Sequence, residues 1–323
     1  MQYRTLGRTG LRVSEIGYGA WGVGGVQWLG GNDTEAKKAL NLAFDLGVNF
    51  FDTALAYGNG HSENLIRDLT KQVGRSNIII ATKIPPMNRQ WPAQCGVRLE
   101  EVFPPSYLRK SVQASLRNLG SDFIDVLQLH VWQDHWLEKN DWQQELIRLK
   151  EEGKIRYIGV SINDHDPESA ILLAQSKIAD TIQVIYNIFD PTPEDALFSL
   201  CKDASIGIIA RCPFDEGALS GSVTATTHFE EGDFRALYFK DKRPIEVEAK
   251  VVALKTLLGE EAKTLFELAL RFCLSNPVVS TVIPGMRKTV HVEANAAVSD
   301  GRKLSSAVLA QLKQHAWPKN FYP

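Results

Sequence analysis

The sequence predicts an α/β chain folded as a closed barrel of eight parallel strands, each followed by a helix. Eight short, nearly continuous apolar runs recur along the 323 residues, at 16–20, 48–52, 78–83, 125–130, 155–161, 181–186, 206–210 and 280–283. Strands buried on both faces read in this way. Amphipathic helical patterns separate the runs, so strand and helix alternate, as in a parallel sheet with helices outside. Polar or ionisable residues end several of the runs, at the face where such barrels carry their chemistry. No internal repeat, low-complexity tract or linker divides the chain, and a single (β/α)8 domain over residues 1–323 is expected.

Taken in order, residues 1–15 read as a small hairpin, with turn signals at Gly7 and Gly10 flanked by Tyr3, Leu6 and Leu11. After the first strand a helix is predicted over 33–46, with Asp33 as its N-cap and Gly47 just past its end. Further helices are predicted over 105–118, 142–152 and 167–175, with Gly120 and Gly153 as their punctuation. Three stretches break the rhythm, at 85–105, 131–140 and, longest, 213–244 after the seventh strand. Long loops on this face of a barrel usually shape the substrate pocket. Trp21, Trp91 and Trp132, in the loops after strands one, three and four, are candidates for its apolar wall.

Composition narrows the function. The chain is 44% hydrophobic and 23% charged, within the range of globular proteins. With 36 basic and 38 acidic residues and a net charge of −2, it has no basic block to suit nucleic acid. Cys95, Cys201, Cys212 and Cys273 are scattered without a CxxC pair, which suggests a reducing compartment. No signal-peptide core and no apolar run of about 18 residues occurs. The expectation is a cytoplasmic protein with no membrane partner; oligomeric state is not legible.

Residues 17–22, GYGAWG, satisfy the GxGxxG dinucleotide fingerprint, but that motif needs a helix opening inside it. Here ten loop residues with more glycines follow, so a Rossmann reading is set aside. These glycines are read instead as letting the loop approach a ligand.

Four residues carry most of the chemistry. Asp52, Lys83 and His130 end the second, third and fourth strands, and Tyr57 lies five residues past Asp52. A carboxylate in an apolar strand is costly unless paired, and Lys83 on the next strand is placed to pair with it. A lysine beside Tyr57 favours the phenolate and lowers the tyrosine's pKa from about 10, making a better acid. A neutral His130 suits hydrogen bonding to a carbonyl oxygen. No metal is expected, since His130 and His135 match no zinc spacing and no cysteine cluster assists.

The Asp52/Tyr57/Lys83/His130 set resembles the catalytic tetrad of the aldo-keto reductase family. FFDTALAYGNGHSE, IRYIGVS, GALSG and VIPGMRKTVHVEAN support the resemblance, collinear from the hairpin to Asn295. It implies a TIM barrel that binds NADP(H), less often NAD(H), across its mouth and reduces aldehydes or ketones, with Tyr57 as proton donor. It further implies that Ser161 and Gln183 hold the nicotinamide carboxamide. Arg211 replaces the usual stacking aromatic. The amides of Phe214, Leu219 and Gly221 are implied at the pyrophosphate. The stretch from Gly285 to Lys288 opens a helix whose N-terminus suits an anion; Arg287 and Lys288, with His291, are implied at a 2′-phosphate, and Asn295 at the adenine. Ile162 stands in place of a common asparagine, so one carboxamide contact is either missing or supplied by Asn163. The same tetrad serves an NAD(P)-dependent alcohol or sugar dehydrogenase running oxidatively. It is also compatible with a nucleotide-sensing regulatory subunit similar to potassium-channel β subunits.

Overall fold

The computed structural model describes residues 1–321. Strands β1 (Tyr3–Thr5) and β2 (Arg12–Ser14) form the antiparallel N-terminal hairpin. Eight parallel strands follow: β3 (Tyr18–Gly19), β4 (Phe50–Asp52), β5 (Ile79–Ile84), β6 (Ile124–Leu129), β7 (Ile155–Ser161), β8 (Thr181–Ile185), β9 (Gly207–Arg211) and β10 (Val279–Val282). Each pairs with its sequence neighbours, and the bridges Ile16–Val282 and Gly19–Gly285 join first to last. The fold is the (β/α)8 barrel.

Inward positions alternate along each strand, and the interior changes character with height. Phe50, Ala81, Val126 and Ile209 form its lower apolar layer, where Leu6 and Val13 of the hairpin pack against them. Two residues further up the same strands stand Asp52, Lys83, Gln128 and Arg211. The hairpin therefore closes one end of the barrel with hydrocarbon, and the ionisable groups collect at the other. The larger core lies between strands and surrounding helices.

Gly17 and Gly19 serve the barrel wall, and Gly19 and Gly22 also line the cavity at its mouth. A Cβ on Gly19 would lie 2.5 Å from the Ile283 carbonyl oxygen, and one on Gly17 2.9 Å from Phe50 Cδ1. Removing these side chains lets the first strand close against the last.

The first helix, Asp33–Asp45, is capped by Asn32, whose side chain accepts from the Glu35 amide. Asp33 is the first helical residue, and its acidic charge there favours the helix N-terminus. The predicted helix at 167–175 is a 3₁₀ turn, Pro167–Ala170, running into Ile171–Ser176. Amphipathic helix His61–Val73 also packs on the barrel, burying Leu65, Ile66 and Leu69. The stretch 213–244 holds the turn Asp215–Ser220, a short helix Phe234–Tyr238 and the start of helix Arg243–Lys255. Asp215 ties it together, accepting from Tyr238 Oη at 2.6 Å and from Arg243 Nη2 at 2.8 Å. Its far end reaches the loop after β3, where the Phe234 amide donates to the Gln27 carbonyl and the Leu29 amide to Asp233.

Candidate active site

Asp52 and Lys83, on adjacent strands and 2% and 0% exposed, form an ion pair inside the barrel mouth. The ammonium also donates to the Thr53 carbonyl at 2.8 Å and reaches the Tyr57 phenol oxygen at 3.2 Å. Tyr57 is brought back over Lys83 by the turn after β4. Its amide donates to the Ala54 carbonyl, while Thr53 Oγ1 donates to Ser62 Oγ and Ser62 Oγ to the Ala20 carbonyl. The His130 ring stands edge-on to Tyr57, centroids 5.8 Å apart. The structure thus brings all four residues together.

The electrostatics are set by burial. Desolvation pushes the Tyr57 phenol well above its ordinary pKa, the charge of Asp52 adds to the rise, and Arg211 opposes it. The direction is opposite to that expected from Lys83 alone, because removing phenolate from water costs more than the neighbouring cations return. Tyr57 is a fully protonated phenol. Burial draws Lys83 down, against the carboxylate of Asp52. Burial and the charges of Lys83 and Arg211 hold His130 well below the usual imidazole value, so it is neutral at pH 7.

Tyr57 and His130 open onto a cavity of about 980 Å³ that also meets Trp21, Trp28 and Trp91. Trp21 lies nearly parallel to Tyr57 at 6.2 Å, and Trp91 is edge-on to His130 at 5.8 Å. Trp132 does not share this wall. It is fully buried among Trp136 and Trp142, with its indole N–H donated to Asp134.

The chain matches the profile of the Aldo/keto reductase family over residues 15–316. It belongs to the aldo/keto reductase family. It is 31% identical over 343 residues to the L-galactose dehydrogenase of Arabidopsis thaliana, covering 100% of this chain and 98% of that one. It is 30% identical over 309 residues to the aldo-keto reductase YhdN of Bacillus subtilis (strain 168), covering 93% and 89%. Among solved structures it is similar to the holo form of an aldo-keto reductase from Bacillus halodurans, with a TM-score of 0.76, 27% identity, and coverage of 98% and 96%. As an aldo/keto reductase it is an NAD(P)H-dependent oxidoreductase.

The rest of this aldo/keto reductase's cavity fits a long polar cofactor. Asn295 Nδ2 and His130 Nδ1 are buried atoms of cavity-lining residues with no hydrogen-bond partner among the described residues. Ser161, Gln183, Arg211, Phe214, Gly221, Gly285, Arg287 and His291 also line it. Several are engaged already. Gln183 Nε2 donates to Asp52 Oδ2 at 2.7 Å. Arg211 is paired with Asp164 at 2.7 Å and donates to the Ile162 carbonyl at 3.0 Å. Arg287 donates to the Leu29 carbonyl at 2.9 Å.

Other residues lie differently from the expectation. Leu219 is buried and its amide donates to the Phe214 carbonyl, while the Gly221 amide donates to Ala218. The turn consumes both donors, because Asp215, Glu216 and Gly217 adopt positive φ and fold the segment onto itself. Lys288 is exposed and outside the cavity lining. Asn163 lines the cavity as expected, and it also donates to the Trp132 carbonyl and accepts from the Trp132 and Ala93 amides, joining two loops.

Sequence reasoning missed Asp164, which orients Arg211, and Glu216, which accepts from Cys212 Sγ at 3.0 Å. It also missed Gln128, although a signal was available two residues before His130, on the same inward face. Among the described residues, no group of three or more His, Cys, Asp or Glu is placed to hold a metal ion, and no helix is long and apolar enough to cross a membrane.

Proposed function

We propose that this barrel, acting as one domain, reduces aldehydes and ketones with NADPH, reversibly, and that Tyr57 is the proton donor. The observation that carries this reading is the Tyr57 phenol 3.2 Å from the Lys83 ammonium, facing a cavity beside His130. The cofactor supplies hydride to the carbonyl carbon. Charge then develops on the carbonyl oxygen, and a protonated Tyr57 is in the state needed to neutralise it. As the proton leaves, the buried ammonium stabilises the phenolate, and Asp52 keeps that ammonium charged and in place. Neutral His130 orients the carbonyl.

Ser161 and Gln183 would hold the carboxamide, Arg211 would lie against the nicotinamide, and Phe214 and Gly221 would border the pyrophosphate. Arg287 and His291 would hold the 2′-phosphate beside Gly285, and Asn295 the adenine. A cytoplasmic location is supported by four cysteines of which none is in a disulfide. The oxidative direction is a second reading, favoured by the relative named as L-galactose dehydrogenase.

Fluorescence titration with NADPH and NADH, followed by an aldehyde panel read by NADPH absorbance, tests the proposal. Tight NADPH binding with aldehyde-dependent oxidation is expected. Binding without turnover of any carbonyl or alcohol would point instead to nucleotide sensing.

A further inference from the structure

Asp52 divides its two oxygens between different tasks. Oδ1 meets Lys83, whereas Oδ2 accepts from Gln128 Nε2 at 3.0 Å and from Gln183 Nε2 at 2.7 Å. Gln183 Nε2 also lies 3.2 Å from Gln128 Oε1, so Gln128 donates to the carboxylate and accepts from the other amide. Its carboxamide has only one orientation that satisfies both contacts. Asp52, Gln128 and Gln183 come from the second, fourth and sixth barrel strands, the alternation by which barrel interiors are layered. Gln128 is 0% exposed and stands behind the cavity lining, reaching it only through Asp52 and Gln183. The barrel makes room for it. On β7 the neighbouring position is Gly159, where a Cβ would lie 2.9 Å from Gln128 Cγ and 2.4 Å from Thr181 Oγ1.

We infer that Gln128 is a positioning residue for the proton-transfer group: it fixes the Asp52 carboxylate so that Oδ1 holds Lys83 beneath Tyr57. Gln183 also faces the cavity, where the proposed function gives its side chain to the nicotinamide carboxamide, so it is not reserved for Asp52. Gln128 is the anchor that is committed to Asp52 whatever occupies the mouth. This inference rests on the reading of Tyr57 as proton donor.

The test compares Gln128→Leu and Gln128→Glu with the parent enzyme and Tyr57→Phe, measuring NADPH affinity by fluorescence and kcat from pH 5 to 9. Gln128→Leu removes the donor, and kcat should fall about tenfold or more with NADPH affinity within about twofold. Gln128→Glu keeps the shape. Ionised, the introduced carboxyl repels Asp52; protonated, it donates an O–H to the same oxygen. Asp52 and Lys83 are the charged groups beside it, with Arg211 and Cys212 acting on Lys83. Its kcat relative to the parent should therefore climb as pH falls. A loss of equal size at every pH in Gln128→Glu, or parent-like kcat in both variants, overturns the inference. Full turnover in Tyr57→Phe would remove instead the reading on which it rests.

Discussion

Tyr57 and Lys83 stand 26 residues apart in the chain, yet Lys83 Nζ lies 3.2 Å from the phenol oxygen and 4.8 Å from the ring centroid. One lysine therefore faces both the phenol oxygen proposed to give up a proton and the ring that would carry the resulting charge.

Replacing Tyr57 by Phe removes the donated proton while keeping the ring. Carbonyl reduction should fall by about 10²- to 10⁴-fold, the usual share of a positioned general acid. NADPH affinity should change little. Stopped-flow single turnovers with a saturating aldehyde measure the chemical step, and an unaltered rate would contradict the assignment.

Lys83→Met leaves the Asp52 carboxylate buried without its cation. Such a break costs about 3–5 kcal/mol, whereas removing both charges costs less. Urea unfolding should show Lys83→Met well below the parent, and Asp52→Asn combined with Lys83→Met above the single variant. Equal midpoints for single and double variants would mean that the pair is not coupled.

His130 makes stability depend on pH. The folded imidazole is held well below its ordinary value, while the unfolded chain takes up a proton near pH 6.5. The unfolded state binds more protons as pH falls below that point, so stability is complete above it and declines beneath it. This residue contributes a slope of up to about 1.4 kcal/mol per pH unit. Urea midpoints for His130→Gln should fall less between pH 7.5 and 5 than those of the parent, since the other histidines are present in both.

Arg287 is the cavity-lining cation offered for a 2′-phosphate, braced by the Leu29 carbonyl and packed under Gly22. Arg287→Ala should weaken NADPH about tenfold or more and NADH far less, since a charge-assisted bond to phosphate is lost only with the former. Isothermal titration with both nucleotides measures the difference. Equal losses would locate the 2′-phosphate elsewhere.

The barrel was legible because strands covered on both faces spell themselves as short apolar runs, and the tetrad because each member ends such a run or lies just beyond one. What sequence pattern does not carry is direction. A loop tryptophan points inward or outward according to what its neighbours leave open, and Trp132 found Trp136 and Trp142 where Trp21 found Tyr57. Backbone donors are equally hidden. The amides of Leu219 and Gly221 are lost to internal bonds because Asp215 and Glu216 take left-handed conformations, which neither residue type announces. Gln183 shows a third limit: the sequence suggests a nicotinamide partner for it, and the structure shows its amide also donating to both Asp52 and Gln128.

The seam where Gly19 meets Gly285 and Ile16 meets Val282 also has a consequence for biosynthesis. The first and last staves of the ring are separated by most of the polypeptide, so a nascent chain that has not yet delivered Val279–Val282 leaves the flanks of β3 and β9 unpaired. Open strand flanks recruit other chains. The growing chain passes through a stage in which nearly everything has been translated and the ring still has a gap, and at that stage it most needs shielding from its neighbours.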